Sequence, residues 1–198
     1  MALKSMALRT VSGPTSEPVT LAEAKAHLRV DLDEDDIYIS TLITAARQTA
    51  ETWIGRALMT QTYDLVLDRW PVGPFVLPRA PLQSVTSITY IDDAGATGTV
   101  SASNYIVDTA SQPGRVKLKS SASWPAVTLQ DIGGVTIRFV AGYGNAMAVP
   151  QAIKHGILML VGTMYESRED VLVGSGMTAQ ELPVSAKRLL LPYRIWEP

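Results

Sequence analysis

The chain has no cysteine, which excludes disulfides and thiolate chemistry and is the composition expected of a cytosolic setting. It has only two histidines, His27 and His155. Each falls inside a predicted helix and neither stands at a His-x-x-x-His spacing, so they are read as packing or surface residues, not as a metal or acid-base pair. It has little net charge: 17 basic against 19 acidic residues leave −2, and no general attraction to nucleic acid or membrane surfaces follows. It has no long apolar run. The longest plain one, Ile157 to Val161, is far below the roughly 20 residues of a membrane helix, and no continuous apolar stretch joins Lys4 to Arg9 as a signal peptide requires. A soluble, intracellular protein is expected.

Motifs that carry chemistry are also missing. Asp31-Leu32-Asp33-Glu34-Asp35 starts like a calcium loop, but its sixth position is Asp36 instead of Gly and its twelfth is Leu42 instead of Glu. Gly174-Ser175-Gly176 is not a Gly-x-Ser-x-Gly elbow. Gly142 and Gly144 lack the third glycine and capped helix of a dinucleotide site. Glu166, Glu169 and Asp170 surround Arg168 and read as a solvated ion-pair cluster. No nucleophile, base and oxyanion donor can be assembled, so no enzyme, cofactor or metal is expected.

What the chain does have is 46% hydrophobic residues in 198, enough for a real core. Residues 1–18 are rich in Ser, Thr and Pro and predict a flexible N-terminal arm. Thr20 and Glu23 then form a capping box for a short helix that ends near Val30. Five of the eight acids in the first 60 residues lie between Asp31 and Asp36. They lead into a second helix, where negative charge suits the N-terminus. Ile39, Leu42, Ile43, Ala46, Ala50, Trp53 and Ile54 form its apolar stripe, and Gly55 stops it. From Asp35 to Ile54 it makes a rod of roughly 30 Å.

The middle of the chain changes period. Alternation at Tyr63, Leu65 and Leu67 predicts a strand, followed by strands near 75–77, 85–91, 105–108, 115–118 and 135–140, with Asp92-Asp93-Ala94-Gly95 closing a hairpin. Helical period returns after Pro150 with Ile153, Ile157, Leu160, Val161, Met164 and Tyr165. Asp170 to Pro183 predicts a loop, Val184 to Leu191 a last helix, and Pro192 its end. The fold class is therefore α+β: a helical bundle from residues 19–60 and 149–191, an inserted antiparallel β-rich subdomain over 61–148, and a tail over 192–198. Tyr193, Arg194, Ile195 and Trp196 are the residue types that dominate binding hot spots, so the tail is either a partner anchor or folds back on its own core.

Several segments in order carry a resemblance that spans nearly the whole chain. They are Glu17-Pro-Val-Thr-Leu-Ala-Glu-Ala-Lys-Ala-His-Leu-Arg-Val-Asp31, Trp53-Ile-Gly-Arg-Ala-Leu58, Pro81-Leu-Gln-Ser-Val-Thr-Ser-Ile88 with Tyr90, Pro113-Gly-Arg115, Ser123-Trp-Pro125, Arg138-Phe-Val-Ala-Gly-Tyr-Gly144, Glu181-Leu-Pro183 and Leu191-Pro-Tyr-Arg194. The chain resembles the head-tail connector (adaptor) proteins of tailed phages, in the branch with a β insert; gene transfer agents use similar proteins. The resemblance implies a virion structural protein at the head-tail interface, made in the bacterial cytoplasm. It implies a ring of about twelve subunits under the portal with head-to-tail interfaces. That ring extends the DNA channel, lets DNA pass without sequence-specific binding, and docks a stopper or tail connector protein. The tail, Tyr193 to Trp196, would meet the portal. Asp33, Glu34, Asp35 and Asp36 would either face the channel, where they repel phosphates, or cap a helix on the outside of the ring.

A second reading stays beside it: a ligand- or carbohydrate-binding module on the β insert, with Trp70, Tyr90, Tyr105 and Trp124 lining a pocket. A DNA-binding regulator is disfavoured because the predicted helices lack a basic face.

Overall fold

In the computed structural model, which describes residues 6–167 and 182–195, the chain is of mixed α+β class, with four helices and two antiparallel sheets among those residues. It divides into two compact units. One takes Thr60–Tyr143 together with the N-terminal stretch that ends at Thr15; the other takes Ser16–Met59 and the chain from Gly144 onward.

The β unit is built on β2 (Gln61–Leu67), β4 (Leu82–Ile91) and β8 (Val135–Ala141). β8 lies between the other two in a five-stranded sheet of order β1-β2-β8-β4-β5, in which β1 is Met6–Ser12 and β5 is Thr97–Thr99. The period-2 pattern fixes the register. Tyr63 stands opposite Phe139, Leu65 opposite Ile137 and Leu67 opposite Val135, so one face gathers buried apolar side chains from both strands. The Tyr63 and Phe139 rings stack at 5.6 Å. β8 ends where Gly142 takes a φ of 126°, which a side chain would resist, and the Gly142 N–H donates to the Pro81 carbonyl at 2.9 Å. The hairpin from β4 to β5 (Thr97–Thr99) turns at residues 92–96, where one Asp92 carboxylate oxygen accepts from the Ala94 and Ala96 N–H groups. A second sheet, of order β3-β7-β6, joins Phe75–Val76, Arg115–Leu118 and Tyr105–Asp108.

The edge strand β1 (Met6–Ser12) corrects the sequence reading, which placed these residues in a flexible arm. It pairs antiparallel with β2, Arg9 opposite Asp64. Nearly every residue of β1 is exposed, so no burial alternation marks it. It is held by its backbone ladder and by Asp64, whose fully buried carboxylate accepts from Arg9 at 2.9 Å and from Arg138 at 2.8 and 2.9 Å. The three charges sit in one row across β1, β2 and β8. The Arg138 guanidinium, more than Arg9, holds the Asp64 carboxyl below its ordinary value against the opposing effect of burial.

In the helical unit, α1 (Leu21–Leu28) carries the full capping box: Thr20 Oγ1 accepts from the Glu23 N–H and the Glu23 carboxylate accepts from the Thr20 N–H. α2 (Asp36–Ile54) is 19 residues long, and Ile39, Leu42, Ile43, Ala46, Ala50 and Ile54 are buried along it as the stripe predicts. Trp53 is only half-buried. α3 (Gln151–Glu166) starts one residue after Pro150 and buries Ile153, Ile157, Leu160 and Val161. At Gly156 an added Cβ would come within 3.1 Å of Leu190, so this glycine lets α4 (Val184–Leu190) approach α3 closely. α2 contacts α3, and α1 contacts both. The loop expected over Asp170 to Pro183 lies, up to residue 181, outside the described residues.

Candidate docking surfaces

The chain end is a surface because of how α2 finishes. Gly55 adopts a left-handed φ of 71° and reverses the chain, which leaves the Ile54 carbonyl for an outside donor; the Ile195 N–H supplies it at 2.8 Å. Arg56 donates from Nε to the Tyr193 carbonyl. The Arg194 guanidinium lies over the Trp53 ring at 5.0 Å. Tyr193, Arg194 and Ile195 are therefore laid along the end of α2, each half-buried. Trp196, the fourth residue of the expected anchor, lies outside the described residues.

A buried ionic network stiffens the same helix. Arg47 donates to Glu17 at 2.6 Å and to Glu51 at 2.7 Å. The other Glu51 oxygen accepts the Leu58 N–H at 2.8 Å, which pins the chain as it leaves the helix.

The acids before α2 are mostly engaged within the unit. Lys25 Nζ bridges Asp33 at 2.6 Å and Asp36 at 2.7 Å, and Tyr165 donates its hydroxyl to Asp35. Asp33 is held below its ordinary carboxylate value by the Lys25 hydrogen bond, and Lys25 is raised in turn, by Asp33 first and Asp36 second. Asp31, Asp33 and Glu34 face solvent, as do the neighbouring apolar residues Leu32 and Ile37. Sequence reasoning singled out the acids and missed the two exposed apolar side chains beside them. Ile37 breaks the helical stripe, and that was the available signal.

In the β unit the four aromatics of the pocket reading do not converge on a cavity. Trp70 and Trp124 stack on each other at 4.8 Å, nearly parallel at 9°, and Tyr90 meets Trp70 edge-on at 5.5 Å. The indole N–H of Trp124 donates to the Pro71 carbonyl at 3.1 Å. Trp70 and Trp124 thus each give one ring face to the other. Tyr105 is buried on β6 of the other sheet. Among the described residues no group of three or more His, Cys, Asp or Glu is placed to hold a metal ion, and no helix is long and apolar enough to cross a membrane.

The chain belongs to the head completion protein family, whose model matches residues 18–196. It is accordingly a virion structural protein of the head-tail connector class and not an enzyme. Three solved structures share the fold over nearly the full length. A chain in the neck of an empty GTA particle computed with C6 symmetry is 26% identical, with 97% of each chain covered and a TM-score of 0.74. A chain in the virion of a native gene transfer agent (GTA) particle is 24% identical over 96% of each chain, with a TM-score of 0.78. A chain in the neck of a native GTA particle computed with C12 symmetry is 24% identical over 97% of each chain, with a TM-score of 0.72. No curated protein matches the chain.

Proposed function

We infer that this protein forms a closed ring of about twelve copies beneath the portal of a tailed phage or gene transfer agent. The ring extends the DNA channel and presents a docking surface to the next connector or tail protein. The observation that carries this reading is the 26% identical chain, covered over 97% of both lengths, which sits in the neck of a GTA particle computed with C6 symmetry. In this reading the helices from the two ends of the chain bundle into the ring body.

The chain end engages the portal. Arg194 and Trp53 give it an aromatic and cationic surface held in place by α2, the kind that dominates binding hot spots. Of the two uses open to the acids, the channel lining is supported less, because Asp33, Asp35 and Asp36 are bound to Lys25 and Tyr165 and have less free charge to set against phosphates. Neutralising Asp33, Glu34, Asp35 and Asp36 should leave DNA retention in assembled particles unchanged; leakage would move them to the channel wall.

Light scattering with and without the cognate portal, followed by electron microscopy of the mixture, tests the ring. An added ring of this protein on the portal is expected. Persistent monomer with no portal binding overturns the reading. Since Tyr193 and Ile195 are tied to α2, the tail is tested by removing residues 196–198, which should weaken portal binding while the melting temperature stays put.

A further inference from the structure

One face of the three-stranded sheet is turned to solvent and is chemically mixed. Arg115, Lys117 and Lys119 alternate outward along β7 and just beyond it, about 7 Å apart. Val76 and Asp108 stand opposite Arg115, and Ile106 stands opposite Lys117, so these side chains share that face. Ile106 is 54% exposed and Val76 47%. Arg115 is held by Asp108 at 2.6 Å, whereas Lys117 and Lys119 make no ion pair among the described residues. Two apolar side chains set among unpaired cations on an ordered sheet leave both apolar area and positive charge unanswered.

Residues 31–37 of the same chain carry the opposite combination. Asp31, Asp33 and Glu34 are exposed, and beside them Leu32 is 67% and Ile37 86% exposed. A head-to-tail ring needs two different patches on every copy, each complementary to the other. We propose that the solvent face of the β3-β7-β6 sheet in one copy receives residues 31–37 of the next copy, acids on Lys117 and Lys119 and Leu32 or Ile37 on Ile106. This rests on the ring reading. A second copy fits the face better than DNA does, because phosphates would answer the lysines and leave Ile106 and Val76 uncovered.

The absence of cysteine makes the test clean. Rings of the full chain on the portal, carrying Ile106→Cys with either Leu32→Cys or Ile37→Cys, should give a ladder of cross-linked multimers on oxidation from at least one of the two pairs, seen on a non-reducing gel; no single variant should. In parallel, the pair Lys117→Glu with Lys119→Glu should raise the protein concentration for half-assembly by about tenfold or more, as should Asp31→Lys with Glu34→Lys, while all four together should return it to within about threefold of wild type. Melting temperatures establish that each variant folds, and if a charge variant does not, the cross-link decides alone. Rings that assemble without a ladder overturn the inference, and so does a quadruple variant no better than either pair. Normal rings that lose duplex DNA retention on Lys117→Glu with Lys119→Glu assign the face to DNA and also overturn it. A wild-type chain that makes no ring on the portal removes the ring reading itself, a failure distinct from the others.

Discussion

Each unit of this protein buries a carboxylate against arginine, and the two do so on different terms. In the β unit Asp64 is fully buried, but its partners Arg9 and Arg138 keep much of their surface in water. In the helical unit Arg47 and Glu51 have both left water almost entirely, and Glu51 must also satisfy the main chain at Leu58. A half-solvated row can give up one member and let water answer the others. A buried network with a backbone donor in it cannot. The first arrangement therefore aligns strands at modest cost, and the second fixes the place where the chain must leave α2.

That contrast breaks first at Glu51. Glu51→Ala leaves Arg47 with Glu17 alone and orphans the buried Leu58 N–H, so a loss of about 3 to 4 kcal/mol is expected in denaturant unfolding. Glu51→Gln keeps an acceptor for Leu58 and should cost about half as much. If the two substitutions cost the same, the backbone bond contributes nothing and the distinction between the units fails.

Asp64→Ala should cost less, about 2 kcal/mol, because the exposed arginines recover hydration. Its effect should also be local, with the amides of β1 gaining exchange before those of β8. The pH dependence follows from the lowered carboxyl. A folded pKa below the unfolded one means the contribution is complete above the unfolded value, about 4, and is lost as pH falls through the folded one. The gap between wild type and Asp64→Ala should thus stay constant from neutral pH to about 5 and narrow as the pH falls below about 4. A gap that does not narrow at all as the solution is acidified below about 4 would assign Asp64 a packing role in place of a charged one.

The same contrast explains what could be read in advance. Periodicity reports one-sided burial, so α2, α3 and the β2 and β8 strands were legible from residues such as Ile39, Ile157, Leu65 and Ile137. β1 was not, since an edge strand exposed on both faces has no alternation, and its specification lies in Asp64, more than fifty residues later in the chain. The candidate surfaces were legible by composition only. Asp33 to Asp36 were visible as a charged cluster, but their division between Lys25 and Tyr165 depends on α1 and α3, and sequence spacing holds no record of that. The candidate anchor residues Tyr193 to Ile195 were visible as a hot-spot composition, while the free carbonyl at Ile54 that ties them down follows from the left-handed turn at Gly55.

The smallest expected effect tests whether the helical unit's polar contacts matter at its rim as they do at its centre. Thr20→Ala removes the hydroxyl that accepts from the Glu23 N–H at 3.1 Å, at an exposed helix start where water can replace it. A loss of about 1 kcal/mol is expected. Glu23 keeps two other ties, the Thr20 N–H and Lys154 at 2.9 Å on α3, so α1 should fray at its first turn and stay docked. Exchange at Ala22, Glu23 and Ala24 should therefore rise while that of α3 stays unchanged. If the α3 amides open as well, the capping box is holding α1 against α3 as well as starting it, and the helical unit relies on its rim as much as on the buried Arg47 and Glu51 pair.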